Sequence, residues 1–390
     1  MSIVMRIVYF TNIIDFHGGL QHVTIVKANA LAEIPGNEVT IVVAYCGSGM
    51  MPHKLSSKVK LINLAINYDK INWNNSLKSL MDFGLKKRKH AKAIKKVLSE
   101  LAPDIVISTG KLEKQMIASI KPRPWKTILE YHFEKNYDRV QEQYQVNSIF
   151  SFVKKCITSI FGRGATSSDE FYDKVVVLTH RDKDTNWKGW ENVTVIPNPV
   201  TFKCTKPSDL SQKCVLSLGR LVKTKNFDSL IRSFQLVTKR HPDWVLKIYG
   251  EGEERNSLEA LISREELQNN VFLCGLSLDV ESVLTQSSIF ALTSISEGFA
   301  LSLIEAMECG VPVVSYNCPC GPSEIITQEK DGFLVPMGDE ELFAERICSL
   351  INKTEMRRQM GIAAKKKAEA FQIGAISRQW MDLFVQLKNR

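Results

Sequence analysis

Glu297 and Glu305 stand eight residues apart in the stretch Ser-Glu-Gly-Phe-Ala-Leu-Ser-Leu-Ile-Glu, which begins at Ser296. Residues 289–293 read as a buried strand, 294–299 as a glycine-containing turn, and 300–309 as a helix closed by Gly310 and Pro312. A further strand is expected over 311–316. The first amides of such a helix point beyond the preceding strand end, and the helix dipole favours an anion there. Glu297 in the turn and Glu305 on the helix add hydrogen-bond acceptors beside that anion position. Phosphate donors next to hydroxyl acceptors suit a ligand in which a sugar is joined to a diphosphate.

A pair of carboxylates also invites comparison with a glycoside hydrolase. Eight helical residues would separate the two by about 12 Å at ~1.5 Å per residue. Retaining hydrolases need roughly 5–5.5 Å and inverting ones roughly 6.5–9.5 Å. The spacing therefore fits the holding of hydroxyls better than the activation of water. The plainer alternative is a solvated loop glutamate and a helix-face glutamate, against which the complete strand, turn, helix and strand pattern counts.

Other chemistry-bearing residues follow predicted strands. Gly18 and Gly19 come after the first strand and lead into a helix from Leu20, where backbone can approach a ligand closely. In the second half, Arg220 and Lys225 follow one strand and precede a helix. A forked guanidinium and a compact ammonium suit a diphosphate. Tyr249-Gly-Glu-Gly252 ends another strand in a way that lets backbone pack near a flat base. The dinucleotide fingerprint G-x-G-x-x-G is missing after the first strand, which argues against a nicotinamide enzyme.

The elements that must position these residues are short β-rich runs alternating with helical patterns. The runs fall at 6–11, 38–44, 59–64, 104–108, 127–131 and 174–178, then at 213–217, 244–249, 271–274, 289–293, 311–316 and 332–335. This predicts an α/β protein with two doubly wound, Rossmann-like sheets. The proline-rich stretch 195–209 reads as the linker, giving a first domain over 1–199 and a second over 200–371. A last helix over 372–390 is expected to pack back on the first domain. Ligands of such sheets lie outside the carboxyl ends of the strands, so two facing sheets would enclose a cleft.

Composition narrows the remaining classes. The 390 residues are 44% hydrophobic and 24% charged, enough for two packed cores. Nine cysteines lack metal spacing, and Cys318-Pro-Cys320 has one intervening residue, so reduced thiols in a cytoplasmic protein are expected. The N-terminal apolar run is too short for a signal sequence, and no stretch has the length of a membrane span. Residues 1–199 carry 28 basic against 18 acidic side chains, and the remainder 23 against 24. The excess includes a run from Lys86 to Lys96 without an acid, preceded by Trp73, Leu77, Leu80, Met81 and Phe83. An anionic membrane surface and plain solvation both suit it; no nucleic-acid motif accompanies it, and no nucleic acid is expected as a partner.

Taken together, Gly18-Gly19, Gly219-Arg220 with Lys225-Asn226, Tyr249-Gly-Glu-Gly252, Glu297-Gly-Phe with Glu305, and Gly310-x-Pro312 resemble the retaining glycosyltransferases of family 4, with the GT-B fold. The likeness spans nearly the whole chain and is sharper in the second half. Segments 318–326 and 332–336 look like the branch that builds bacterial capsule, exopolysaccharide and O-antigen. The resemblance implies that Arg220 and Lys225 hold the diphosphate of a nucleotide-sugar donor. Glu305 would take the ribose hydroxyls and Glu297 the sugar hydroxyls, with the amides of Gly298, Phe299, Ala300 and Leu301 facing sugar and phosphate. Gly18 and Gly19 would approach the diphosphate from the other domain. His132, at the end of a first-domain strand, matches the family's active-site histidine. Thr201 stands where the family often has an acid.

The resemblance implies transfer of a hexose or N-acetylhexosamine from a UDP-sugar, without cofactor or metal, onto a growing lipid-linked glycan. In that reading the departing diphosphate oxygen takes the acceptor's proton, and Arg220, Lys225 and the helix N-terminus stabilise its growing charge. The rivals are a sugar-nucleotide epimerase or a phosphorylase on the same architecture, and a transferase-like subunit that only binds a partner. Expected placement is cytoplasmic, peripheral on the membrane through Lys86 to Lys96.

Overall fold

Valine and isoleucine runs flanked by amphipathic helices leave each strand buried on both faces, the condition under which parallel sheets form. The computed structural model describes residues 4–14, 18–47, 54–71, 76–133, 135 and 168–389. Its first sheet contains β1 (Met5–Thr11), β2 (Asn37–Val43), β3 (Val59–Asn63), β4 (Ile105–Ser108), β5 (Lys126–Glu130), β6 (Lys174–Val177) and β7 (Val193–Val195). They run parallel in the order β3-β2-β1-β4-β5-β6-β7. The second contains β8 (Cys214–Leu218), β9 (Val245–Tyr249), β10 (Val271–Gly275), β11 (Ile289–Leu292), β12 (Val313–Tyr316) and β13 (Gly332–Val335). Its parallel order is β10-β9-β8-β11-β12-β13. The architecture is GT-B, two Rossmann-like sheets clothed in helices.

Strand order reverses between β1 and β4 in one sheet and between β8 and β11 in the other, and loops leaving such switch points form ligand crevices. The loops after β1, β8 and β11 are the ones carrying Gly18–Gly19, Arg220–Lys225 and Glu297. One strand differs from expectation. β7 occupies residues read as the approach to and start of the linker; its three residues and the following prolines gave too little pattern to register as a strand.

The helix Ile373–Lys388 packs against the helix Gly19–Glu33, placing Ile376, Trp380, Leu383, Phe384 and Leu387 in the core under β1 and β2. Both chain passages between the sheets meet at Glu308. It accepts from the Cys204 amide at 3.0 Å and from Gln372 Nε2 at 2.6 Å, while the Val200 amide donates to the Phe371 carbonyl at 2.9 Å.

Of the basic segment, the helix Ser76–Leu101 buries Ile94 and Leu98 and half-buries Ala91 and Leu101. Met81 and Leu85 are 65% and 62% exposed, and Arg88, Lys89, Lys92, Lys95 and Lys96 are exposed with them. Lys86 is tied to Asp82 at 3.2 Å and Lys87 to Gln115 at 3.3 Å, so the basic face is narrower than the run in sequence. Trp73 and the side chain of Leu77 lie outside the described residues. No described helix is long and apolar enough to cross a membrane.

Candidate active site

The switch-point loops open onto one cavity of about 500 Å³ between the two sheets. Arg220, Lys225, Glu297 and Glu305 line it, as do Gly298, Phe299, Ala300 and Leu301. Gly18, Gly19 and His132 line it from the first sheet's side. The residues singled out in the sequence thus share one wall-to-wall space, although they come from loops up to nearly three hundred positions apart.

Lys225 closes a short 3₁₀ turn, Lys223–Lys225, that ends in left-handed Asn226 at φ 55°, a conformation asparagine tolerates better than most residues. The turn brings Lys225 Nζ to 2.6 Å from Glu297 Oε1. Arg220 is exposed at the same loop, and its guanidinium makes no hydrogen bond or ion pair with the described residues. The helix Leu301–Glu308 begins after Ala300, left-handed at φ 61°. That conformation costs an alanine of order 1 kcal/mol or more, and such strain persists where surrounding structure imposes it. No side chain caps this helix and no acid occupies its first turn, so its leading amides face the cavity without a competing carboxylate there.

Two glycines are required by contact. A Cβ at Gly298 would stand 2.1 Å from the His132 carbonyl oxygen, so only glycine lets the two domains meet at this point. Gly250, at φ 152°, passes so close to the Gly219 carbonyl that a Cβ would lie 1.8 Å from it.

Glu305 is buried, and its Oε1 accepts from Thr201 Oγ1 at 2.6 Å. Burial pushes its carboxyl up to about 7, with the Thr201 hydrogen bond opposing. The threonine that departs from the family pattern therefore has a consequence: it donates, where an acid would set a second carboxylate against Glu305. Sequence reasoning also missed Asn198 and Ser296, whose buried Oδ1 and Oγ lack a partner among the described residues, both lining the cavity. Asn198 sits between two prolines and read only as linker. Among the described residues no group of three or more His, Cys, Asp or Glu side chains gathers to hold a metal.

The fold is the one shared by solved GT-B structures. Residues 203–367 match the model of the glycosyl transferases group 1 family. An uncharacterized glycosyltransferase of Haemophilus influenzae is 34% identical over 212 residues, 53% of this chain and 60% of that protein. The matched stretches span 60%, 24% and 43% of the lengths of the first three curated relatives. A fuller match, 25% identical over 95% of this chain and 96% of the relative, is to a Campylobacter jejuni α-1,4-N-acetyl-D-galactosaminyltransferase. Its name specifies a diphospho-undecaprenol-linked glycan. The fold matches S. aureus TarM solved with fondaparinux, α-GlcNAc-glycerol and UDP, at TM-score 0.75, 17% identity and 97% and 99% coverage of the two chains.

Proposed function

We propose that this protein is a retaining glycosyltransferase that moves a hexose or N-acetylhexosamine from a UDP-sugar to a growing, lipid-linked glycan in cell-surface polysaccharide synthesis. The observation that supports it best is the convergence on one cavity of Arg220 and Lys225, Glu297 and Glu305, and an uncapped helix N-terminus, opposite His132. Cations suit a diphosphate, carboxylates suit ribose and sugar hydroxyls, and the space suits both together. UDP as donor and a lipid-linked acceptor are supported by the names of the TarM structure and the Campylobacter relative.

In this reading the sugar–phosphate bond breaks as the acceptor hydroxyl attacks the same face. The acceptor proton passes to the departing diphosphate oxygen, so atoms balance without a protein nucleophile. Arg220, Lys225 and the helix amides stabilise the developing phosphate charge in a fixed, partly desolvated setting. Glu297 orients the sugar, and no metal or cofactor is needed for these steps. The exposed basic face of the Ser76–Leu101 helix would hold the enzyme on the cytoplasmic side of an anionic membrane, near such an acceptor.

The test is a panel of nucleotide sugars, scored first by thermal stabilisation and then by transfer to a polyprenyl-diphosphate-linked glycan. Stabilisation by one UDP-sugar and product with retained anomeric configuration are expected. Release of an epimerised UDP-sugar without acceptor would replace this reading with the epimerase. Absence of both binding and turnover would leave a non-catalytic subunit.

A further inference from the structure

Beside His132 lies a charge pair that the donor site does not use. Lys27, in the helix Gly19–Glu33, and Glu130, the last residue of β5, form an ion pair with side chains 2% and 1% exposed. Taking two charges out of water costs several kcal/mol per ion, and a well-packed apolar pair of similar volume often serves a core equally well. Stability alone is thus a weak reason for these two residues. The nearby rings reinforce the cation without neutralising it: Lys27 Nζ is 4.8 Å from the Trp380 ring centroid and 5.9 Å from that of Tyr9.

The carboxylate faces both ways. Glu130 Oε1 meets Lys27 and also lies 3.3 Å from His132 Nε2, inside ion-pair reach although the angle falls short of a hydrogen bond. Glu130 Oε2 has no partner among the described residues. Burial pushes the Glu130 carboxyl up, and Lys27 and His132 outweigh it, holding it below the ordinary carboxylate range. Among the described residues, Glu130, two positions before it, is the charged group in ion-pair reach of His132, with Lys27 from the helix behind Glu130; Lys27 Nζ lies over the Tyr9 ring. Across the cleft come Lys225 and Glu297.

We propose that Glu130 is a positioning residue for His132: fixed as an anion by Lys27, it keeps the ring proton on Nε2 and leaves Nδ1 as acceptor for a substrate hydroxyl. His132 Nδ1 is buried and has no hydrogen-bond partner among the described residues, so its acceptor lone pair is left open. A carboxylate behind an imidazole sets its tautomer and orientation in this way generally. The inference rests on reading His132 as an active-site residue, the role given it above. It adds that the Lys27–Glu130 pair is kept for that histidine and not for the core.

The deciding variant is Lys27→Met/Glu130→Leu, which removes both charges at similar volume. Expected are an unchanged or higher Tm, UDP affinity within about twofold, and kcat lower by about tenfold or more, the usual effect of losing such a partner. Nitrogen spectra of ¹⁵N-histidine-labelled protein should show His132 as the Nε2–H tautomer in the wild type and as a mixture in the variant. Should the double variant not fold, Glu130→Gln gives the same two readouts, and Glu130→Asp should restore part of kcat. A kcat within about twofold of wild type together with an unchanged tautomer would overturn the proposal. The spectrum needs no substrate. If the wild type neither binds nucleotide sugars nor transfers, the functional reading falls while the tautomer still decides this one.

Discussion

Lys225 donates to Glu297 at 2.6 Å, so the cation assigned to phosphate and the carboxylate assigned to the sugar hold each other at the cavity wall. The pair is partly exposed, with side chains 23% and 11% accessible, and its contribution to stability is about 1 kcal/mol at most. Its interest lies in what each member does when the other is removed.

Glu297→Gln should lower kcat strongly while leaving UDP affinity unchanged or slightly tighter, because Lys225 is then free to meet phosphate. Calorimetry with UDP alongside steady-state turnover separates the two effects. A large loss of UDP affinity would take Glu297 out of the sugar role.

Arg220 has no such partner among the described residues, so its truncation should be read directly in binding. Arg220→Ala is expected to weaken UDP by roughly 1.5–3 kcal/mol, the range for a hydrogen bond to a charged group. Unchanged affinity in calorimetry would remove the residue from the donor site.

Glu305 sets a pH dependence whose sign follows from its environment. Its folded carboxyl, raised to about 7 by burial, binds a proton more tightly than the unfolded group, ordinarily near 4.3. The neutral form's stabilisation is therefore complete below that lower value and is lost as pH climbs through about 7. Ribose hydroxyls, by contrast, are better accepted by the anion, so UDP affinity should rise with pH over the same window. Glu305→Gln should flatten both trends and weaken UDP throughout. Parallel melting and binding series across that window check this, and an undiminished slope in the variant would assign it to another group.

The helix Ser76–Leu101 predicts reversible, salt-sensitive binding to membranes. Near an anionic leaflet each basic side chain contributes about 1 kcal/mol, screened beyond a Debye length of ~10 Å at 0.1 M salt. The exposed Met81 and Leu85 add an apolar contact at one end of the same face. Sedimentation with anionic vesicles at low salt should capture the protein and high salt should release it. Equal binding to neutral vesicles, or none at low salt, would leave the face as ordinary solvated surface.

The parallel sheets were legible because valine and isoleucine runs recur between helical patterns, and each run marked its strand to within about two residues. β7 escaped, being three residues long beside prolines that look like linker. That Arg220, Lys225, Glu297 and Glu305 line one cavity was legible because each lies beyond a strand end and has a chemistry of its own. The contacts that tune them could not. Thr201 meets Glu305 and Lys27 meets Glu130 across separations of more than a hundred residues, and only the folded topology brings them together.

The helix Ile373–Lys388 lends five apolar residues to the core beneath β1 and β2. During synthesis that core therefore waits until residues 373–388 have left the ribosome. The second sheet, whose strands end at Val335, has a core without residues of that helix and can consolidate first. Order of emergence and order of completion are reversed: the half made first is the half sealed last, its apolar face uncovered until that helix docks.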